Sequence, residues 1–94
     1  MIIGVCTIEL TIPMADSLKA KRKVVRSVSA RLRNEFNVAG AEVEELDSWQ
    51  TAIIAAVTVS NDRDYAHGLL QKVIQWLEET RLDCDLTDYR IELI

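Results

Sequence analysis

Several residue types that build metal centres and disulfide-stapled proteins are scarce in this chain of 94 residues. It has one histidine, His67, and two cysteines, Cys6 and Cys84. Two isolated cysteines match no zinc-binding spacing, and one histidine without a second ligand or base makes neither a metal site nor a catalytic pair. We therefore expect no metal, no cofactor, no catalytic residue and no disulfide. A reducing cytoplasm is the natural setting for such a chain.

Long hydrophobic runs and a basic leader are also missing. No stretch of 18 or more apolar residues occurs, so we expect the chain not to span a membrane. The first ten residues, MIIGVCTIEL, lack the cationic start of a signal peptide and read directly into a strand. A length of 94 residues predicts a single domain, residues 1–94, with one small core.

What the chain has in excess is positive charge in one segment. Ser17–Asn34 holds seven basic residues and no acidic one, so the segment carries +7, the whole chain −4, and the remaining residues −11. The spacing of its apolar residues is that of an amphipathic helix, whose buried stripe is predicted to contain Leu18, Val25, Val28, Leu32 and Phe36. The opposite face is predicted to carry Lys19, Arg22, Lys23, Arg26 and Arg33, with Lys21 and Arg31 at the flanks.

The basic residues crowd the start of this helix, where the helix dipole favours acidic side chains. No acidic residue lies four positions away within the segment to offset them. A local rule broken without compensation suggests a function, although a charged helix is often only a solvated face. The candidate nucleic-acid-binding residues are Lys19, Lys21, Arg22, Lys23, Arg26 and Arg33.

The whole chain predicts the order βαββαβ. Strands are expected near Ile2–Ile12, Val38–Asp47, Thr51–Val59 and Leu86–Ile94, with a second helix from about Arg63 to Leu82. Right-handed crossovers then give an α+β, ferredoxin-like sandwich, in which both helices cover one face of a four-stranded antiparallel sheet. The first and third strands are expected at its centre, and Gly40 is expected to mark a bulge in the second strand.

The other face of the sheet is expected to be apolar and uncovered. If the bulkier residues of the third strand point at the helices, the open face contains Ile3, Val5, Ala52, Ile54 and Ala56. Exposed apolar patches of this kind usually mark an interface, so we expect a homodimer formed through this face or an edge strand.

Two activities found on such sandwiches are disfavoured. The loop TIPMADS after the first strand lacks the glycine-rich cradle of a phosphate-binding enzyme such as an acylphosphatase. Arg22 and Asn61 are only weak support for that alternative. The central strands carry no aromatic residue on which an RNA-recognition motif would stack bases. RNA binding would therefore depend on the basic helix and on phosphates.

Short motifs spread along the chain carry a family resemblance. They are Ser17-Leu18-Lys19 with Lys21-Arg22, Phe36-Asn37-Val38, Ala41-Glu42-Val43 and Trp49-Gln50. Together they resemble the YlxP-like family of small bacterial proteins, which has no established function. The resemblance implies a ferredoxin-like fold, a bacterial cytoplasm and genes near translation factors. It supports an RNA- or ribosome-associated binding module; a self-associating protein-interaction module is the alternative, and an enzyme is less favoured.

Overall fold

Two helices cover one face of a four-stranded antiparallel sheet. The computed structural model describes residues 1–80 and 82–94. Its elements are β1 (Ile2–Thr11), α1 (Leu18–Glu35), β2 (Ala39–Glu44), β3 (Thr51–Ser60), α2 (Arg63–Glu79) and β4 (Asp85–Leu93). The strands lie in the order β2-β3-β1-β4, so β1 and β3 are central as predicted. The predicted α+β, ferredoxin-like architecture is confirmed.

The core lies between the central strands and the helices. In the antiparallel register Cys6 pairs with Ala56 and Ile8 with Ile54. Directly paired residues project to the same face, and all four are fully buried. α2 supplies Leu70 and other apolar residues above them, and α1 approaches the sheet on the β2 side.

This register corrects the predicted open face. Ala52, Ile54 and Ala56 point at the helices, where each is fully buried. The prediction was wrong because it used side-chain bulk to choose the face of β3. The register with β1 decides which face of β3 is covered, because residues of β3 share a face with the residues they pair with on β1.

Small residues lie beneath the helices because the helices approach closely. A Cβ atom added at Gly4 would lie 2.9 Å from Cδ1 of Leu70 and 3.2 Å from Cγ2 of Thr58. The alanines of β3 are small for the same reason, since they leave room for the larger side chains of α1 and α2 that pack on them. Bulk is therefore a poor guide to the covered face of this sheet.

The strand and helix ends differ modestly from the predicted ones. The irregularity in β2 lies between Glu42 and Glu44, whereas Gly40 pairs regularly with Ala56, so the bulge expected at Gly40 is misplaced. α2 ends at Glu79, where the N–H of Thr80 donates to the carbonyl of Trp76. The predicted end of α2 at Leu82 runs across Arg81, which lies outside the described residues.

Candidate anion-binding face of the first helix

α1 is fixed at both ends by local contacts. The hydroxyl of Ser17 caps its start by accepting a hydrogen bond from the N–H of Ala20 at 3.0 Å. After its last turn, the ring of Phe36 meets Trp76 of α2 edge-to-face at 6.3 Å. The guanidinium of Arg31 lies 5.3 Å from the same indole, a cation–π contact. α1 therefore has a fixed rotation about its axis, and its outward face is defined.

Lys21 is not part of that outward face. Its side chain is fully buried, and Nζ lies 2.7 Å from Oε2 of Glu42 on β2. Nζ also donates a hydrogen bond to the carbonyl of Glu45. The assignment of Lys21 to nucleic-acid binding is wrong, because a fully buried ammonium paired with a carboxylate cannot reach a phosphate.

A sequence signal for this burial exists. Lys21 precedes Val25 by four residues, Val28 by seven and Leu32 by eleven, and these spacings define one helical stripe. The length of a lysine side chain lets its aliphatic part pack in such a stripe while the ammonium reaches a partner beyond it. Glu42, on the edge strand β2, points towards the helix and holds this ammonium.

Five other cations of α1 are exposed along one side of the helix. They occupy an arc of roughly 100° and span about 21 Å along the axis. None of them forms an ion pair with any acidic residue in the part of the chain that the structure describes. The five are Lys19, Arg22, Lys23, Arg26 and Arg33. The strong negative charge of the rest of the chain therefore does not neutralise this face by direct contact.

Three of these cations border a groove between α1 and β2. Its volume is about 320 Å³, and Arg22, Arg26 and Arg33 line it together with Ser29 and Glu42. Oε2 of Glu42 is buried and forms an ion pair with Lys21. It accepts no hydrogen bond from any other described residue. Glu42, the acid among the described residues that line the groove, is thus neutralised by Lys21. The charge of the three arginines remains uncompensated.

On the far side of the sheet, the open face is apolar at its centre. Antiparallel pairing places Ile3 opposite Val59 and Val5 opposite Val57. Val59 is 62% exposed, and Ile3, Val5 and Val57 are partly exposed. Two of the five predicted interface residues, Ile3 and Val5, therefore lie on the open face, and the true contributors from β3 are Val57 and Val59.

Comparison with known proteins places this architecture in a family. A profile described as "Protein of unknown function (DUF503)" matches residues 3–91. The chain belongs to the DUF503 family. It is also 34% identical over 76 residues to "Uncharacterized protein YlxP" of Bacillus subtilis (strain 168), a match that covers 81% of this chain and 83% of that protein. The resemblance read from the sequence motifs is confirmed.

The DUF503 description assigns no activity, so chemistry must be sought in the residues. Within residues 1–80 and 82–94, no group of three or more histidine, cysteine, aspartate or glutamate side chains is arranged to hold a metal ion. His67 is exposed on α2. In the same ranges, neither helix has the length and apolar character needed to cross a membrane.

Both cysteine thiols of this DUF503 chain are poor nucleophiles. Burial raises the pKa of Cys6 to about 11. Burial, followed by the nearby carboxylates of Asp85 and Asp83, raises the pKa of Cys84 to about 11. A thiol with such a pKa stays protonated at neutral pH and does not form the reactive thiolate. Cys84 lines a cavity of about 510 Å³ between the start of α1 and the segment before β4, but its thiol is not activated there.

Proposed function

We propose that this DUF503 protein is a binding module that holds structured RNA, free or within a ribosomal particle, through the phosphate backbone. The contact surface is the exposed side of α1, formed by Lys19, Arg22, Lys23, Arg26 and Arg33. The observation that carries the proposal is the exposure of these five cations on one arc without an acidic partner among the described residues. A row of exposed cations of this kind is suited to bind the oxygens of successive phosphates.

The alternative explanation for the charge is a solvated helix stabilised by the acidic remainder of the chain. Two features argue against it. Among the described residues, the lysine that meets an acid is Lys21, which is buried. The first turn of α1 contains no acidic residue, so Lys19 lies where the helix dipole disfavours a cation by about 0.3–1 kcal/mol. A cation at such a position costs the helix stability, which a role in binding would offset.

The rest of the molecule favours RNA contact through α1 alone. The total charge of −4 opposes binding of a polyanion over the whole surface. The central strands offer no aromatic side chains for stacking bases, and their open face carries aliphatic, threonine and glutamate side chains instead. Recognition would therefore read backbone position and shape more than base sequence.

The test is a binding assay with a folded RNA and the variant in which Lys19, Arg22, Lys23 and Arg26 are replaced by Gln. Glutamine keeps helix propensity and removes the charge. Affinity should fall by at least tenfold for several unrelated RNA sequences. Wild-type affinity in this variant, or no salt-sensitive binding by the parent at low ionic strength, would overturn the proposal.

A second candidate function is self-association, and the open face of the sheet is the observation that favours it. The face is apolar around Val5 and Val57, and β4 borders it with the charged residues Glu92, beside Val5, and Arg90, beside Thr7. Two central strands of ten residues and two edge strands cover roughly 600 Å². A standard interface buries about 800 Å² on each partner and the smallest stable ones about 600 Å², so a second copy stacked face to face would reach the low end of that range.

Sedimentation at micromolar concentration tests the second candidate. If the face is the contact, Val57→Lys should convert a dimer into a folded monomer, because a lysine there would be buried between two apolar sheets. Val43→Lys is the control, because Val43 is exposed in the bulge of the β2 edge strand. A monomeric parent would exclude this candidate. A dimer that survives Val57→Lys but dissociates on loss of the α1 cations would indicate instead that α1 of one copy docks on the acidic residues Glu42, Glu44 and Glu45 at the β2 edge of the other.

A further inference from the structure

The cations of α1 differ in their surroundings. Arg22, Arg26 and Arg33 line the groove against β2, whereas Lys23 lines the separate cavity between the start of α1 and the segment before β4. Lys19 borders neither space. If α1 meets RNA only as a row of charge, these cations should contribute equally. The groove offers more than charge, because it also contains the hydroxyl of Ser29 and the carboxylate of Glu42.

We infer that this groove seats one nucleotide unit of an RNA strand, with the arginines on phosphates and Glu42 accepting a hydrogen bond from the ribose 2′-hydroxyl. The inference rests on the proposed function and names the residues that read the strand. The groove volume of about 320 Å³ lies at the low end of the range of roughly 300–1,000 Å³ for small-ligand sites. It is therefore sized for one nucleotide.

The spacing along the helix fits two successive phosphates. Arg22 and Arg26 are four residues apart, so their side chains are neighbours and can hold the same phosphate. Arg33 lies about 10 Å further along the axis, near enough to contact the next phosphate of an extended strand. Ser29 lies between Arg26 and Arg33 on the helix, at the level where the intervening ribose would sit.

Glu42 supplies the group that distinguishes ribose from deoxyribose. A carboxylate only accepts hydrogen bonds, and a 2′-hydroxyl can donate one, whereas deoxyribose has no donor at that position. The ion pair with Lys21 engages Oε2, which is buried, and the second oxygen retains its capacity to accept. Because Lys21 also neutralises the carboxylate, Glu42 can lie in the groove without cancelling the attraction of the arginines for phosphate.

The test compares three oligonucleotides that differ only in the group at the 2′ position of the sugar. They are a 12-residue oligouridylate, its deoxyuridine counterpart and its 2′-O-methyl counterpart. The ribose form should bind at least fivefold more tightly than the other two, because the other two lack the hydroxyl donor. The double variant Lys21→Met with Glu42→Ala removes the carboxylate without leaving a buried unpaired ammonium. It should bind all three oligonucleotides equally, provided that circular dichroism shows it folded.

A matched pair of variants separates the groove from general charge. Arg22→Gln with Arg26→Gln and Lys19→Gln with Lys23→Gln each remove two charges from the same turns of α1. The arginine pair should lose at least ten times more affinity for oligouridylate than the lysine pair. Equal losses in the two variants would overturn the groove assignment.

The outcomes also separate this inference from the proposed function. Equal, salt-sensitive binding of the three oligonucleotides by the parent would overturn the nucleotide seat and leave phosphate binding by α1 intact. Binding of folded RNA without binding of oligouridylate would do the same. Failure to bind either folded RNA or oligouridylate at low salt would overturn both.

Discussion

The two helices of this sandwich pack on the same face of the sheet but have opposite surface chemistry. α2 is capped by Asp62, whose carboxylate accepts hydrogen bonds from the N–H groups of Asp64 and Tyr65, and its first turn carries an acid. Its buried residues are all apolar. α1 has no acid in its first turn, buries Lys21 and exposes a row of cations. At its N-terminus α2 has the acid that the helix dipole favours and α1 does not, so α1 is where function should be sought.

The largest effect on stability should come from the charge that α1 buries. Lys21→Ala leaves the carboxylate of Glu42 without its ammonium, and loss of one partner of a buried pair costs about 3 kcal/mol when the other keeps slight exposure. Urea denaturation measures this as a lower transition midpoint. Lys19→Ala, on the exposed side of α1, is the control and should change the free energy of unfolding by less than about 0.5 kcal/mol. Equal effects would mean that the ion pair contributes nothing.

The caps should show where the two helices are alike. Ser17→Ala and Asp62→Ala should each lower the free energy of unfolding by about 1 kcal/mol, because each removes an acceptor from the first turn. The loss should be larger for Asp62, whose charged oxygen receives two N–H groups. Thermal denaturation ranks the two variants. A larger loss for Ser17 would contradict the idea that α2 has the better-stabilised start.

Charge reversal in the first turn sharpens the contrast. Lys19 and Asp64 occupy the same position, two residues after the respective caps. Lys19→Glu should stabilise the protein by about 0.5 kcal/mol, and Asp64→Lys should destabilise it by a similar amount, because each change acts on the helix dipole in the opposite direction. The difference should shrink in 1 M salt. The contrast fails if Lys19→Glu is destabilising, since Lys19 would then be a structural cation.

The smallest expected effect concerns whether the positive charge of α1 lowers the pKa of the Cys84 thiol. Cys84 lines the same cavity as Lys23, yet burial and neighbouring acids raise the pKa of its thiol from 9.0 to about 11. In a Cys6→Ala variant, the rate of alkylation by iodoacetamide should reach half its maximum near pH 11. In urea the midpoint should fall to about pH 9. A midpoint well below pH 9 in the folded protein would show that Lys23 stabilises the thiolate.

The element order and the fold could be predicted because they follow from periodicity. Alternation in β1 identified its covered face correctly, and the basic face of α1 followed from the helical repeat. The face of β3 could not be chosen from its own residues, since Ala52 and Ile53 differ in bulk but not in polarity. That choice depends on register with β1, which is a property of two strands.

The buried ion pair shows another limit of a one-dimensional reading. The helical repeat puts Lys21 in line with Val25 and Leu32, although the prediction placed it at the flank. Its partner Glu42 lies 21 positions away, and only the fold brings the two together. The groove has the same origin, since its arginines come from α1 and its carboxylate from β2. Charged residues could be located on their elements from sequence, whereas their pairing could not.

The central claim is that the outward cations of α1 bind phosphates, and the salt dependence of RNA binding by the intact protein tests it most directly. Each neutralised phosphate contributes about 0.7–0.9 to the slope of log affinity against log salt concentration. Four or five phosphates held by the five cations predict a slope of about −2.8 to −4.5, reduced to about −1 when Lys19, Arg22, Lys23 and Arg26 are replaced by Gln. The same slope in the parent and the variant, or a parent slope near zero, would contradict the account.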